Sequence, residues 1–315
     1  MRVLFAGSPA IAVPALEALC NIEGIEPAGT LTNPDTPKGR HGAALPTEVG
    51  EAAAQYGILS ILKPEKLDAE AREQVGSLKC DLLVSFAYGR IFGPKFLALF
   101  PLGGINIHPS LLPKYRGPTP VQAAILNRDE VTGITIQWLA KEMDCGDIIM
   151  QEELPLTGKE TAGSLSETIA AKAALMLPVA LKKIAEGQAQ GIPQSQMNIK
   201  ASYCSLISKE DGLIDWNLSA EEIEAAIRAF TPWPLCRTIH NGRELIILKA
   251  EVFKGTWEPE GCPGQVLGQN KNCGILIRTG RGILAVSQLQ YQTKKALLWR
   301  DFLNGARDFP GSILG

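Results

Sequence analysis

Through the first 188 residues, short apolar runs alternate with stretches of helical spacing. Residues 3–6, 28–31, 81–86 and 104–108 are mostly apolar runs of strand length. Residues 10–20, 47–56 and 121–127 instead place apolar side chains three and four apart, as an amphipathic helix does. That alternation predicts βαβ units, a parallel sheet and helices on both of its faces. Residues 134–138 and 148–152 read as two more strands around a polar, turn-prone stretch, Met143-Asp144-Cys145-Gly146-Asp147. Residues 161–184 follow as one long helix, with Leu165, Ile169, Ala173 and Met176 on a stripe expected to pack into the core.

Beyond residue 188 the pattern changes. Residues 189–207 are polar and broken by Gly191 and Pro193, which predicts a linker. Ser219 precedes Glu222 at the capping-box spacing and opens a helix over residues 223–230. Asn241-Gly242, between apolar runs at 236–240 and 243–248, is a strong hairpin signal. Further strands at 264–267, 274–278 and 283–289 predict a small β-barrel. A chain of 315 residues is long enough for these two domains, residues 1–188 and 208–315.

The chemistry concentrates where one strand ends. Side chains alternate faces along a strand, so Ile105 and Ile107 point into a core while Asn106 and His108 share the other face. Pro109 then stops the strand. An amide and an imidazole side by side suit the polarising of a carbonyl, and a carboxylate from the Asp144 loop would orient the ring and stabilise its charged form. In open α/β sheets ligands bind outside the carboxyl ends of strands, which is where His108 falls. The first turn, Gly7-Ser8-Pro9, lacks the Gly-x-Gly-x-x-Gly pattern, so dinucleotide binding has little support.

Composition narrows little further. Net charge is −2, and the part after residue 207 holds 13 basic and 12 acidic residues, so any nucleic-acid binding needs a local patch. Lys249, Lys254, Lys294, Lys295 and Arg300 are the candidates for one. Seven cysteines without Cys-x-x-Cys spacing argue for free thiols in a reducing cytosol rather than a zinc site or disulfides. The apolar start loosely mimics a signal peptide but is interrupted by Gly7-Ser8-Pro9 and Glu17, and no apolar run reaches the ~20 residues that span a bilayer.

With these residues in hand, the chain resembles the tetrahydrofolate-dependent formyltransferases, nearly end to end. The resemblance rests on Leu4-Phe5-Ala6-Gly7-Ser8-Pro9, Thr32-Asn33-Pro34-Asp35, Ala87-Tyr88-Gly89, Ser110-Leu111-Leu112-Pro113-Lys114-Tyr115-Arg116-Gly117 and Asp144-Cys145-Gly146-Asp147. Ile214-Asp215-Trp216 and Thr231-Pro232-Trp233-Pro234 extend it to members with a matching C-terminal domain. Glu142 and Cys145 depart from the Gly and Thr that the family often has there.

The resemblance implies a Rossmann-like α/β domain with a parallel or mixed sheet, followed by a small OB-like barrel that binds tRNA. It implies Asn106, His108 and Asp144 as the catalytic trio. It implies Ser110, Leu111, Leu112, Pro113, Tyr88 and Gly89 as folate contacts, and Arg40 as a contact to the tRNA acceptor end. The implied reaction moves a formyl group from 10-formyltetrahydrofolate to the α-amine of methionine on initiator tRNA. The enzyme would be cytoplasmic and monomeric, away from membranes and without a metal. The rivals are a formyltransferase acting on a sugar-nucleotide amine, and a non-catalytic RNA-binding protein using the barrel.

Overall fold

The computed structural model describes residues 1–37, 42–256 and 261–315, which form two compact units. The first comprises Met1–Pro120, Val131–Pro155 and Ser166–Ser205. The second comprises Val121–Glu130, Leu156–Leu165 and Leu206–Gly315.

The first unit is built on a seven-stranded sheet. Its strands are β1 (Arg2–Gly7), β2 (Glu26–Leu31), β3 (Ile61–Leu62), β4 (Leu82–Phe86), β5 (Gly104–His108), β6 (Val131–Trp138) and β7 (Ile148–Pro155). They lie in the order β3-β2-β1-β4-β5-β6-β7. The first five are parallel, and β6 and β7 turn antiparallel, so the sheet is mixed. Val3, Leu4, Phe5 and Ala6 are fully buried, as a central strand covered on both faces must be. Helices α1 (Val13–Cys20), α2 (Glu48–Gln55) and α3 (Ala69–Ser77) connect the early strands. Thr47 and Asp68 cap α2 and α3 by accepting the Gly50 and Ala71 N–H groups.

The long helix Ala162–Ala185 turns Leu165, Ile169, Ala173, Met176, Leu177 and Leu181 inward, each at most 2% exposed. It is long and apolar enough to cross a bilayer by length and composition, which reading for uninterrupted apolar runs had missed. Its stripe is already buried in protein.

Residues 189–205, expected as a linker, belong to the first unit. Ile192 exchanges both backbone hydrogen bonds with Ile148, and Arg116 bridges to Tyr203. Glycine and proline mark irregular backbone there, but its polar groups still find partners on the sheet.

Among its described residues, the second unit carries one sheet of six antiparallel strands, the small all-β domain expected there. These are Cys236–His240, Arg243–Val252, Val266–Asn270, Gly274–Arg278, Ile283–Tyr291 and the two-residue Leu297–Leu298. Asn241 and Gly242 both have positive φ, the type I′ geometry that the hairpin signal predicted. Helix Ala220–Ala229 begins with the capping box read from Ser219 and Glu222. All seven cysteines are free. Burial pushes the thiols of Cys80 and Cys236 up to about 11 and about 12.

Candidate active site at the carboxyl end of the central strands

Strand register builds a polar surface on an otherwise apolar sheet. Ser85 pairs with Asn106 and Asn106 with Gln137, while His108 pairs with Thr135 and Thr135 with Gln151. Directly paired residues share a face, so two polar rows lie side by side. The residues between them, Ile105, Ile107 and Ile136, are at most 1% exposed on the opposite face. The alternation read in 105–108 is thus matched across three strands.

Thr135 ties the loop after β5 to this surface. Its hydroxyl donates to the Ser110 carbonyl at 2.7 Å and accepts from the Leu112 N–H at 3.1 Å. Gln151 adds a bond to the Leu112 carbonyl at 2.8 Å. Ser110, Leu112 and Pro113 are therefore buried with their side chains turned inward, and Leu111 alone of the four is part-exposed. A ligand at this loop would meet main chain and Leu111.

Tyr88 differs from its expected role in the same way. Its ring is 1% exposed, stacks on Phe92 at 5.5 Å and joins the core with Leu4, Ala6 and Leu31. Only the backbone of Tyr88 and Gly89 remains for a ligand, and Gly89, with φ +81°, carries the chain round the turn. Arg40 lies outside the described residues.

Asp144 gathers three donors and faces His108. Its Oδ1 accepts from Asn106 Nδ2 at 3.4 Å and Gln137 Nε2 at 3.2 Å, and its Oδ2 accepts from the Gly117 N–H at 2.8 Å. His108 Nδ1 stands 3.5 Å from Oδ1. The other ring nitrogen, Nε2, lies 2.8 Å from the Tyr115 carbonyl. A carbonyl can only accept, so Nε2 carries the hydrogen and Nδ1 is the basic nitrogen.

Burial lowers the His108 pKa below its ordinary value, outweighing the upward pull of the Asp144 carboxylate and the Tyr115 carbonyl. Asp144 was expected to raise it. The carboxylate does pull that way, but desolvation of a ring 4% exposed is the larger effect. A neutral imidazole results, with its free nitrogen facing a carboxylate that would stabilise any proton arriving there. Of the trio, His108 is buried, while Asn106 and Asp144 are half-buried.

The loop geometry depends on Gly146. A Cβ there would lie 1.7 Å from the Trp138 carbonyl, so only glycine lets the loop close onto the strand. Sequence reasoning brought Asn106, His108 and Asp144 together but missed Thr135, Gln137, Gln151 and Gln194. The first three show a signal in hindsight, polar residues at alternate positions of apolar strands. Gln194 shows none. Among the described residues, no group of three His, Cys, Asp or Glu side chains is placed to hold a metal ion.

The chain is similar to several known proteins. A family model described as formyl transferase matches residues 1–181, and one described as formyl transferase, C-terminal domain, matches residues 206–307. A methionyl-tRNA formyltransferase from Treponema denticola is 50% identical, covering 98% of both chains. A solved sugar 3N-formyl transferase with dTDP and 5-N-formyl-THF has a TM-score of 0.65 at 21% identity, covering 94% of this chain and 99% of that one. HypX from Aquifex aeolicus in complex with tetrahydrofolic acid has a TM-score of 0.61 at 16% identity, covering 99% of this chain and 48% of that one.

Proposed function

The chain belongs to the methionyl-tRNA formyltransferase family, and from that premise we propose that it formylates the α-amine of methionine on initiator tRNA, with Asn106, His108 and Asp144 as the catalytic residues. The co-substrate, 10-formyltetrahydrofolate, supplies the formyl group when bound. The observation that carries the reading is the half-buried Asp144 carboxylate, which collects Asn106, Gln137 and Gly117 while facing His108.

Each residue then has a separate task. Asn106, half-buried at the end of its strand, donates one amide hydrogen to Asp144 and directs the other toward the formyl oxygen, where negative charge develops. One such donor is typically worth ~3 kcal/mol in the transition state. His108, held neutral by burial, offers Nδ1 to the proton leaving the amine, and Asp144 stabilises the imidazolium that forms. The Tyr115 carbonyl fixes the ring and its tautomer. Thr135 and Gln151 engage the Ser110 carbonyl and both main-chain groups of Leu112, so a flat heterocycle at this end of the sheet would meet Leu111 and the main chain at 88–89.

The second unit would engage the tRNA. Lys249, Lys254, Lys294, Lys295 and Arg300 are all exposed there. Few phosphate contacts from a nearly neutral domain imply a shallow salt dependence. The enzyme would act in the cytoplasm, as a monomer.

The deciding experiment offers the full chain 10-formyltetrahydrofolate with either charged initiator tRNA or a UDP-aminosugar. Formylation of the tRNA and not of the sugar is expected. Transfer to the aminosugar alone would move the chain to the sugar-nucleotide reading, and transfer to neither would leave only RNA binding.

A further inference from the structure

Gln194 lies in the segment expected as a linker, outside the motifs that carry the family resemblance. Its side chain is 6% exposed. The two hydrogens of its amide face three acceptors, and its oxygen faces a guanidinium. Nε2 lies 2.8 Å from the Asp144 carbonyl, 2.8 Å from the Gly146 carbonyl and 3.2 Å from Gln137 Oε1. Oε1 accepts from Arg116 Nε at 3.1 Å and Nη2 at 2.7 Å. A guanidinium only donates and main-chain carbonyls only accept, so the amide can sit only one way round. Arg116 is itself held by the Tyr203 hydroxyl at 2.9 Å.

Asp144 needs this hold. Its φ is +55°, a left-handed conformation that costs a non-glycine residue energy and persists only when its surroundings enforce it. Gln194 grips the carbonyls on both sides of that turn. It also accounts for the orientation of Gln137. With Gln137 Oε1 turned to Gln194, Gln137 Nε2 is left to face Asp144 Oδ1.

We propose that Gln194 is a positioning residue for formyl transfer. Through the Asp144 loop and through Gln137, it sets how the carboxylate meets His108 and Asn106. The inference rests on the reading of those three residues as catalytic.

Gln194→Ala removes both functions of the amide. Gln194→Glu keeps the volume and the acceptor for Arg116, but turns an oxygen toward the carbonyls of Asp144 and Gly146. Both should lower kcat on the order of 10- to 100-fold, the cost of slight misplacement at a reacting centre, with KM for both substrates nearly unchanged. The exposed neighbour Gln196 provides the control, Gln196→Ala, which should be silent. The chain has only three histidines, so His108 can be followed by NMR of histidine-labelled protein and assigned with His108→Ala. In both Gln194 variants its titration should move to lower pH, because the carboxylate that pulls it up is no longer held beside Nδ1. A role confined to stability would not move it.

Wild-type kcat in Gln194→Glu, or a raised KM with kcat intact, would overturn the proposal. So would failure of both variants to fold, which would assign Gln194 to the fold alone. Asp144→Ala separates the two layers. If it kept wild-type turnover, the reading beneath would be wrong; if it were inactive while the Gln194 variants were normal, only the inference would fall.

Discussion

Asp144→Asn is the sharpest probe of the site, because it changes charge and one donor–acceptor pattern while leaving volume alone. The carboxylate faces four groups, and each one donates or would donate when protonated: Asn106 Nδ2, Gln137 Nε2, the Gly117 N–H and His108 Nδ1. An amide cannot accept from all of them. If its oxygen keeps the 2.8 Å bond to Gly117, its nitrogen confronts two other amide nitrogens. Gln137 cannot turn to relieve this without losing Gln194. One or two charge-assisted bonds, each about 1.5–3 kcal/mol, are therefore lost from the folded protein. The transition state loses the anion that balances a proton on His108 as well, so about 3–4 kcal/mol of barrier is expected, a fall of roughly 100- to 1000-fold in kcat. Single-turnover formyl transfer to charged tRNA measures it, with thermal unfolding as the check on folding. Turnover within about threefold of wild type in a folded variant would mean that Asp144 does not stabilise charge on His108.

Other outcomes follow from the same contacts. Asn106→Ala and His108→Ala should each cost at least ~100-fold in kcat with the fold intact, and a variant near wild-type turnover would leave the mechanism without that residue. Burial lowers the pKa of both His108 and His240, so the unfolded chain binds their protons first as pH falls. Stability should be flat above about pH 6.5 and drop below it, by at most ~1.4 kcal/mol per pH unit for each ring, until the folded values are reached. Replacing His240 by Phe should flatten part of that slope in urea titrations at pH 5 to 7, and an unchanged slope would contradict the assignment. Gly146→Ala should destabilise by roughly 1–3 kcal/mol and depress kcat through the Asp144 loop. Gly305→Ala, where a Cβ meets nothing within 4 Å, should leave activity unchanged in the same assay.

How legible the molecule was in its sequence depended on how local each cause is. Strands β1, β4 and β5, the long helix, the Ser219 capping box and the Asn241-Gly242 turn follow from spacing and turn chemistry within a few residues. The short strand β3 and helix Pro94–Leu97 carry too few residues for any period to emerge. The reversal of β6, antiparallel to both β5 and β7, was hidden because an apolar run does not state which way it pairs. Tyr88 and Leu112 were read as ligand contacts from their place in motifs, yet their side chains are core. A motif preserves a backbone path as readily as a side chain, and sequence alone cannot separate the two.

The same limit explains why Asp144 was found and its support was not. A carboxylate beside Gly146 in a polar loop announces itself, since few other residue types would serve there. Gln194 is a neutral amide among Gln188, Gln190 and Gln196, in a segment whose composition predicts a linker. Nothing local distinguishes it. It differs from its neighbours only in facing Arg116 on one side and the turn carbonyls at 144 and 146 on the other, contacts that span 78 and 50 residues of chain. The groups proposed to react at this site are legible because their chemistry is rare. The group that holds them is legible only once the chain is folded, because its chemistry is common and its position does the selecting.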